Sequence, residues 1–241
     1  MKISQVLFRL RLVWIVLIVA LGFWAPLDRM GGQHVSSTWL VLAGLLARHH
    51  LLPIEEASIA VVALATLLAL KAASLRTWAA AYLGSGVVMD AALHGERIVA
   101  AGPYRYVRNP LYLGDELHIL ALTILMPPGG AAFAVLASIA LFAVLIHAEE
   151  RHLLAEQGEV YRAYMRQVPR IVPRLFPRIA AGGQSPHWGQ ALLGEMYMWG
   201  VALTYAALGY RYNAMLLTQG VLIFFGISLL VRALLPKPAQ S

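Results

Sequence analysis

Residues 102–114 read GPYRYVRNPLYLG, a stretch that sets three tyrosines and two arginines around Pro103 and Pro110 just where an apolar run begins at Leu111. Asn109 followed by Pro110 suits a helix N-cap with proline at the first helical position, where its missing N–H costs nothing and its φ is already helical. The bare N–H groups of that first turn, with Arg105 and Arg108 beside them, suit an anion, and a carboxylate-bearing ligand fits. A plainer reading is a capped helix start whose arginines meet lipid phosphates and whose tyrosines form an interfacial belt. The second chemically loaded feature is Glu149 with Glu150 at the end of another apolar run. Adjacent glutamates near the carboxyl end of a helix oppose its dipole and are costly to desolvate, so they need compensation. Arg151 and His152 supply part of it, as at a solvated helix end with local ion pairs; on a functional reading one or both glutamates bind a cationic ligand.

Two apolar segments, Leu111–Met126 and Gly130–Ala148, are joined by Pro127, Pro128, Gly129 and Gly130, which predicts a helical hairpin. Its feet, residues 102–114 and 147–158, then lie together on one side of the membrane, with the aromatic and arginine motif facing Glu149 and Glu150. Gly158 reads as a C-cap, and Glu159–Val168 as a short amphipathic helix carrying Tyr161 and Tyr164 ahead of Pro169, Arg170 and Pro173. Between Glu149 and Arg178 six arginines stand against four glutamates, which suits an anionic cytoplasmic surface.

The whole chain of 241 residues is 60% hydrophobic and 13% charged, too apolar for an ordinary soluble domain, and it reads as an integral membrane protein. The net charge of +7 comes mostly from arginines in particular loops, which points to lipid-facing segments and away from nucleic acid. With no cysteine, the chain has no disulfide, thiolate zinc site or cysteine nucleophile. The expected fold is an all-α polytopic bundle of about six spans. They are Leu12–Leu27, Ala57–Leu75, the two hairpin segments, Leu192–Tyr210 and Tyr212–Val231, with both termini cytoplasmic after Lys2, Arg9 and Arg11 at one end and Arg232 and Lys237 at the other. Residues 37–52 read as an interfacial or re-entrant helix on the outer face, and its adjacent His49 and His50 point apart and make a poor metal pair. The organisation expected is 1–75 as an N-terminal membrane region, 76–178 as a core, and 179–241 as a linker and a final helix pair. Gly84–Ser85–Gly86 is a weak nucleotide signal. Glu195 reads as a snorkelling carboxylate near the inner end of the fifth span, and His118 as a structural histidine.

The motif at 102–114, together with Leu83 and Gly84, Glu149 and Glu150, Tyr161 and Tyr164, and Val168 to Arg170, resembles the isoprenylcysteine carboxyl methyltransferase and phospholipid methyltransferase family of integral membrane enzymes. These elements occur in the family's order across residues 76–173. Two positions depart from it: Asn109 and Glu96 stand where many members carry histidine. The resemblance implies that S-adenosylmethionine binds in a cytoplasmic pocket between the hairpin's feet and the segment after them. It implies cofactor contacts at Tyr104, Arg105, Arg108, Asn109, Pro110, Tyr112, Gly114, Glu149, Glu150, Tyr161 and Tyr164. The carboxylate is expected near Asn109 and Arg108, the ammonium near Glu149 or Glu150, and the adenine among the tyrosines.

The implied reaction is methyl transfer to a lipid-like or prenylated amphiphile embedded in the surrounding lipid, with no metal and with carboxyl O-methylation favoured. A carboxylate acceptor needs an orienting cation, Arg170 first and Arg108 second. An amine or thiol needs a proton acceptor, for which Glu150, His118 or a tyrosine is available. On this reading Glu150→Gln weakens cofactor binding without unfolding the protein. Two other readings are a catalytically silent membrane module of the same fold and an NADPH-dependent membrane reductase of lipids or sterols. The glutamate pair disfavours the latter by repelling an anionic nucleotide.

Overall fold

A computed structural model describes residues 10–24, 36–83 and 100–234. Lys2, Arg9, the Gly84–Ser85–Gly86 element, Glu96 and Lys237 lie outside the described residues. Every regular element among those described is helical: α1 (Arg11–Trp24), α2 (Thr38–Arg48), α3 (Ile54–Leu83), α4 (Pro110–Leu122), α5 (Pro128–Gln167), α6 (Trp188–Gly194), α7 (Met196–Leu208) and α8 (Ala214–Leu234). Short 3₁₀ turns stand at Gly102–Arg105, Thr123–Leu125 and Gly209–Arg211.

Helix α3 is the axis of the bundle. Its 30 residues make it about 45 Å long. Its buried positions are mostly alanine, including Ala65, Ala69, Ala72, Ala73, Ala79 and Ala80, so neighbouring backbones come close without large side chains between them. It extends past Leu75, where its span is expected to end, and takes in Trp78 and Tyr82. Helices α2, α4 and α7 pack on it, and one hydrophobic core joins Trp39, Val62, Ile119, Leu122, Leu145, Val201, Tyr205 and Leu217.

The helices share two ends. At one, the Thr38 hydroxyl donates to the Met126 carbonyl at 2.8 Å, the Trp39 indole to the Ser58 carbonyl at 3.2 Å, and Trp39 meets Tyr212 with ring centres 6.2 Å apart. Helix α2, with its N-cap at Ser37, therefore lies beside the hairpin turn. At the other end the hairpin's feet meet the last part of α3. The hairpin turn is tighter than expected, since α5 starts at Pro128 and takes Gly129 and Gly130 into its first turn.

Among the described residues three helices are long and apolar enough to cross a membrane, α3, α5 and α8. The expected fifth span is broken: α6 and the α7 segment meet at a bend of 66°, and together they qualify as a fourth crossing. Helix α4 has 13 residues, about 20 Å against a hydrocarbon core of about 30 Å, and α1 has 14.

Helix α5 runs for 40 residues. Its apolar part closes at Ala148, and the helix continues past Glu149 and Glu150 to a break at Gly158, whose φ of 55° suits glycine and would strain a residue with a Cβ. The chain then doubles back along the 100–108 loop. Arg108 N–H donates to the Pro169 carbonyl at 2.8 Å, Arg174 N–H to Tyr106 at 3.1 Å and Gly182 N–H to Ala100 at 2.8 Å, so the expected linker is bound to the loop along part of its length.

Candidate active site

Glu150 stands where the two feet meet. It comes from α5, is only 4% exposed, and gathers three side chains from two places in the sequence. Arg108 Nε donates to its Oε1 at 2.9 Å, Asn109 Nδ2 to the same oxygen at 3.1 Å, and Arg170 Nε to Oε2 at 2.9 Å. Arg108 also donates through one terminal nitrogen to the carbonyls of Met165 and Val168, each at 2.8 Å, and Asn109 Nδ2 to the Arg170 carbonyl at 3.1 Å. Burial alone raises the Glu150 carboxyl, but the Arg170 hydrogen bond, the Arg108 charge and the Asn109 amide outweigh it and hold the group below the usual carboxylate range. The compensation that two adjacent glutamates require thus arrives for Glu150 from Arg108 and Arg170, while His152, as expected, contributes part of it at Glu149. Asn109 does occupy the N-cap position of α4, yet its side chain makes no cap; it is spent on Glu150 and the Arg170 carbonyl.

Glu149 is placed differently. Tyr112 Oη donates to its Oε2 at 3.0 Å, while the Tyr112 ring packs on Phe142 at 5.5 Å. Burial pushes this carboxyl above the usual range, partly offset by the tyrosine hydroxyl and the Arg11 charge. Adjacent carboxylates are therefore held in opposite senses, one saturated by arginines and one bonded to a neutral hydroxyl with the Arg11 and His152 charges facing it.

The tyrosines form a wall on the motif side. Tyr164 Oη donates to the Tyr104 carbonyl at 2.8 Å, and the Tyr161 and Tyr164 rings stand 5.7 Å apart. Tyr104 is buried and its own hydroxyl has no partner among the described residues. An orphaned hydroxyl of this kind is uncommon in a folded interior and marks a place where a bound group would complete the structure. Arg105 Nε donates to the Ile179 carbonyl at 3.0 Å, and Tyr106 packs against Trp78 at 5.7 Å. The pyrrolidine of Pro110 is buried at the first position of α4.

A third polar centre is missing from the sequence reading. Arg76 of α3, just past the expected end of its span at Leu75, donates to both oxygens of Glu195 at 2.7 and 2.8 Å and to Asp115 at 2.7 Å. Glu195, at the break between α6 and α7, is buried and does not snorkel. Gly114 allows the approach: a Cβ there would collide with the Arg76 side chain. Asp115 gave the available signal, because a carboxylate inside an apolar run requires a cation, and Arg76 is one helix away. One turn beyond Gly114, His118 is buried with both ring nitrogens unpartnered among the described residues, its ring edge-on to Tyr197 at 5.1 Å.

The structure therefore brings Tyr104, Arg108, Asn109, Tyr112, Glu149, Glu150, Tyr161, Tyr164 and Arg170 into one neighbourhood, with Gly114 turned toward Arg76 and Arg105 toward Ile179. A helical membrane protein with paired carboxylates under an aromatic and arginine loop is a class with known members. Residues 63–155 match the isoprenylcysteine carboxyl methyltransferase family, and the resemblance drawn from the motif stands. Methanethiol S-methyltransferase 2 of Bradyrhizobium diazoefficiens is 48% identical over 75 residues, 31% of this chain and 28% of the relative. Methanethiol S-methyltransferase of Crocosphaera subtropica is 41% identical over 69 residues, 29% of this chain and 26% of the relative. Each match thus spans less than a third of the curated relative's length. No solved structure matches the chain.

Proposed function

We propose that this chain is an integral membrane methyltransferase using S-adenosylmethionine, with a small hydrophobic thiol as acceptor. The observation that carries the cofactor assignment is the division of labour between Glu149 and Glu150. The cofactor offers an ammonium, a carboxylate, an adenine and a sulfonium. Glu149, hydrogen-bonded to the neutral Tyr112 hydroxyl, takes the ammonium; the first-turn N–H groups of α4 take the carboxylate. Tyr104, with its unpartnered hydroxyl, and the Tyr161–Tyr164 pair supply a polar contact and aromatic faces for the base and the sulfonium. Arg108 and Arg170 act one step back, holding Glu150 and through it the two feet together.

Bound S-adenosylmethionine supplies a methyl group made electrophilic by its sulfonium. The chain's own work is then alignment of the nucleophile and exclusion of water. The acceptor assignment rests on the two relatives named as methanethiol methyltransferases and on charge. The cations expected to orient a carboxylate, Arg170 and Arg108, are both committed to Glu150, and Glu149 beside them would repel one. A thiol must lose a proton. Glu150, held ionised by two arginines, is a weak base, so the acceptor reacts as a thiolate already formed in water. The family's name favours carboxyl O-methylation as the second reading.

In the bilayer all six apolar segments cross in this reading, α1, α3, α4, α5, the bent α6–α7 pair and α8. The arginine-bearing feet, both termini and the site lie on the cytoplasmic side by the positive-inside rule. The core at 76–178 carries the site, and the region after 178 braces it through Glu195.

Calorimetric titration of detergent-purified protein with S-adenosylmethionine and S-adenosylhomocysteine, beside an NADPH control, tests the class. Saturable binding of the first two is expected; absence of binding by folded protein supports a silent module, and NADPH binding alone a reductase. Headspace detection of methyl thioether from methanethiol, against methyl ester from a prenylcysteine, then separates the two acceptors.

A further inference from the structure

Outside the site, α3 and α4 enclose an open groove of about 440 Å³ on the surface of the bundle. Its floor is leucine: Leu67, Leu70 and Leu75 of α3, with Leu113 and Leu117 of α4. The exceptions are on one stripe of α3. Lys71, Ser74 and Trp78 follow each other at helical spacing, and Pro173 closes the groove beside them. Lys71 and Ser74 are exposed, and no described residue forms an ion pair with Lys71.

The depth of that lysine identifies what meets it. Glu55 and Glu56 open α3 at its outer end. Counting from Glu55 at 1.5 Å per residue puts Lys71 about 24 Å along the helix, hence about 6 Å inside the near boundary of a core about 30 Å thick. Its four-carbon stem reaches the headgroup level from there. The lining carries no carboxylate, so a headgroup bringing its own ammonium would leave that cation without a partner. A net-negative phosphate matches the single positive charge. From Trp78 back to Leu67 the stripe covers about 16 Å, length enough for much of an acyl chain.

We infer that this groove binds one anionic phospholipid, its phosphate at Lys71 and Ser74 and one acyl chain along Leu67, Leu70, Leu113 and Leu117. The inference depends on α3 crossing a bilayer and goes beyond the methyl-transfer reading. Because Trp78 at the polar end packs on Tyr106 of the 102–114 loop, an occupied groove also steadies that loop.

Native mass spectrometry of the full chain with equal amounts of phosphatidylglycerol and phosphatidylcholine in mixed micelles tests it. Wild type retains phosphatidylglycerol about fivefold over phosphatidylcholine, the worth of one lysine near an anionic headgroup. Lys71→Arg keeps that preference and Lys71→Gln loses it, while both variants match the wild-type melting temperature. Equal retention of the two lipids by wild type, or a preference that survives in Lys71→Gln, overturns the inference. S-adenosylhomocysteine titration of the same samples reports separately on the methyltransferase reading, so the two fail independently.

Discussion

Replacing Glu150 and Glu149 one at a time by glutamine should give opposite phenotypes. From sequence alone Glu150→Gln is expected to weaken cofactor binding and leave the fold intact. The structure changes that expectation, because Glu150 accepts from Arg108, Asn109 and Arg170 together. Removing one partner of a buried ion pair costs about 3–5 kcal/mol. Here the loss is smaller: Arg108 keeps two carbonyls, Arg170 is 45% exposed and turns to water, and the new amide retains one acceptor oxygen. A destabilisation of about 2–3 kcal/mol remains, which for a chain of this size lowers the melting temperature by about 4–12 °C. Glu149→Gln leaves Tyr112 an acceptor and removes a charge that burial already disfavours, so its melting temperature should stay within about 2 °C of wild type. Its affinity for S-adenosylhomocysteine should instead fall about 10- to 150-fold, the value of a hydrogen bond to a charged group at about 1.5–3 kcal/mol.

Thermal unfolding by tryptophan fluorescence, paired with calorimetric titration, reads both quantities. A Glu150→Gln protein as stable as wild type, or a Glu149→Gln protein with unchanged affinity, refutes the division of roles between them. The pH dependence has a defined sign. Glu150 in the folded protein lies below the ordinary carboxylate range, so the unfolded state binds its proton first on acidification. Its contribution is full above the unfolded value of about 4.3 and is lost as pH falls through the lower folded value. The wild-type advantage over Glu150→Gln should therefore hold at neutral pH and shrink below about pH 4.

Gly114→Ala should cost about 1–3 kcal/mol, since its methyl meets the Arg76 side chain, and thermal unfolding checks it. Arg76→Met leaves Asp115 and Glu195 buried together without their cation and should lower stability by about 3–5 kcal/mol, recovered in part by pairing it with Glu195→Gln in the same assay. His118→Gln should change methylation of a weakly acidic thiol and of a thiol already ionised at the assay pH by the same factor, since its ring is buried against Tyr197. A loss confined to the weakly acidic thiol would make it the base instead. Tyr164→Phe removes the hydroxyl bound to the Tyr104 carbonyl and should cost about 0.5–1.5 kcal/mol in melting experiments.

Much of the hairpin was legible because its signals are local. Pro110 and Pro128 start helices, Gly158 breaks one, and the short turn between two apolar runs forces the feet together, which is enough to pair 102–114 with Glu149 and Glu150. What escaped depends on contacts across long separations. Arg76 and Glu195 are 119 positions apart, and nothing near either shows that they meet. The bend at Glu195 is similarly hidden, since an apolar run has the same composition whether straight or broken at a buried ion pair. The partners of Glu150 were visible as residue types, yet their roles inverted. Arginines beside a helix start read as anion binders until a carboxylate of the same chain is found already holding them.

That inversion bears on how the site achieves selectivity. Two arginines and an amide hold Glu150 ionised at the closure between the feet, whereas Glu149, next to it on the helix, is hydrogen-bonded to the neutral Tyr112 hydroxyl. A cationic ligand thus meets a single available carboxylate next to one that is already neutralised, and an anionic ligand meets no uncommitted arginine from Arg108 or Arg170. The Arg76 centre extends the same principle. Its guanidinium serves two carboxylates, so the cluster carries a net negative charge when both are ionised. Glu195 lies outside residues 63–155, so the carboxyl-terminal region supplies one of the two carboxylates that hold Arg76 and ties itself to the matched core by that contact.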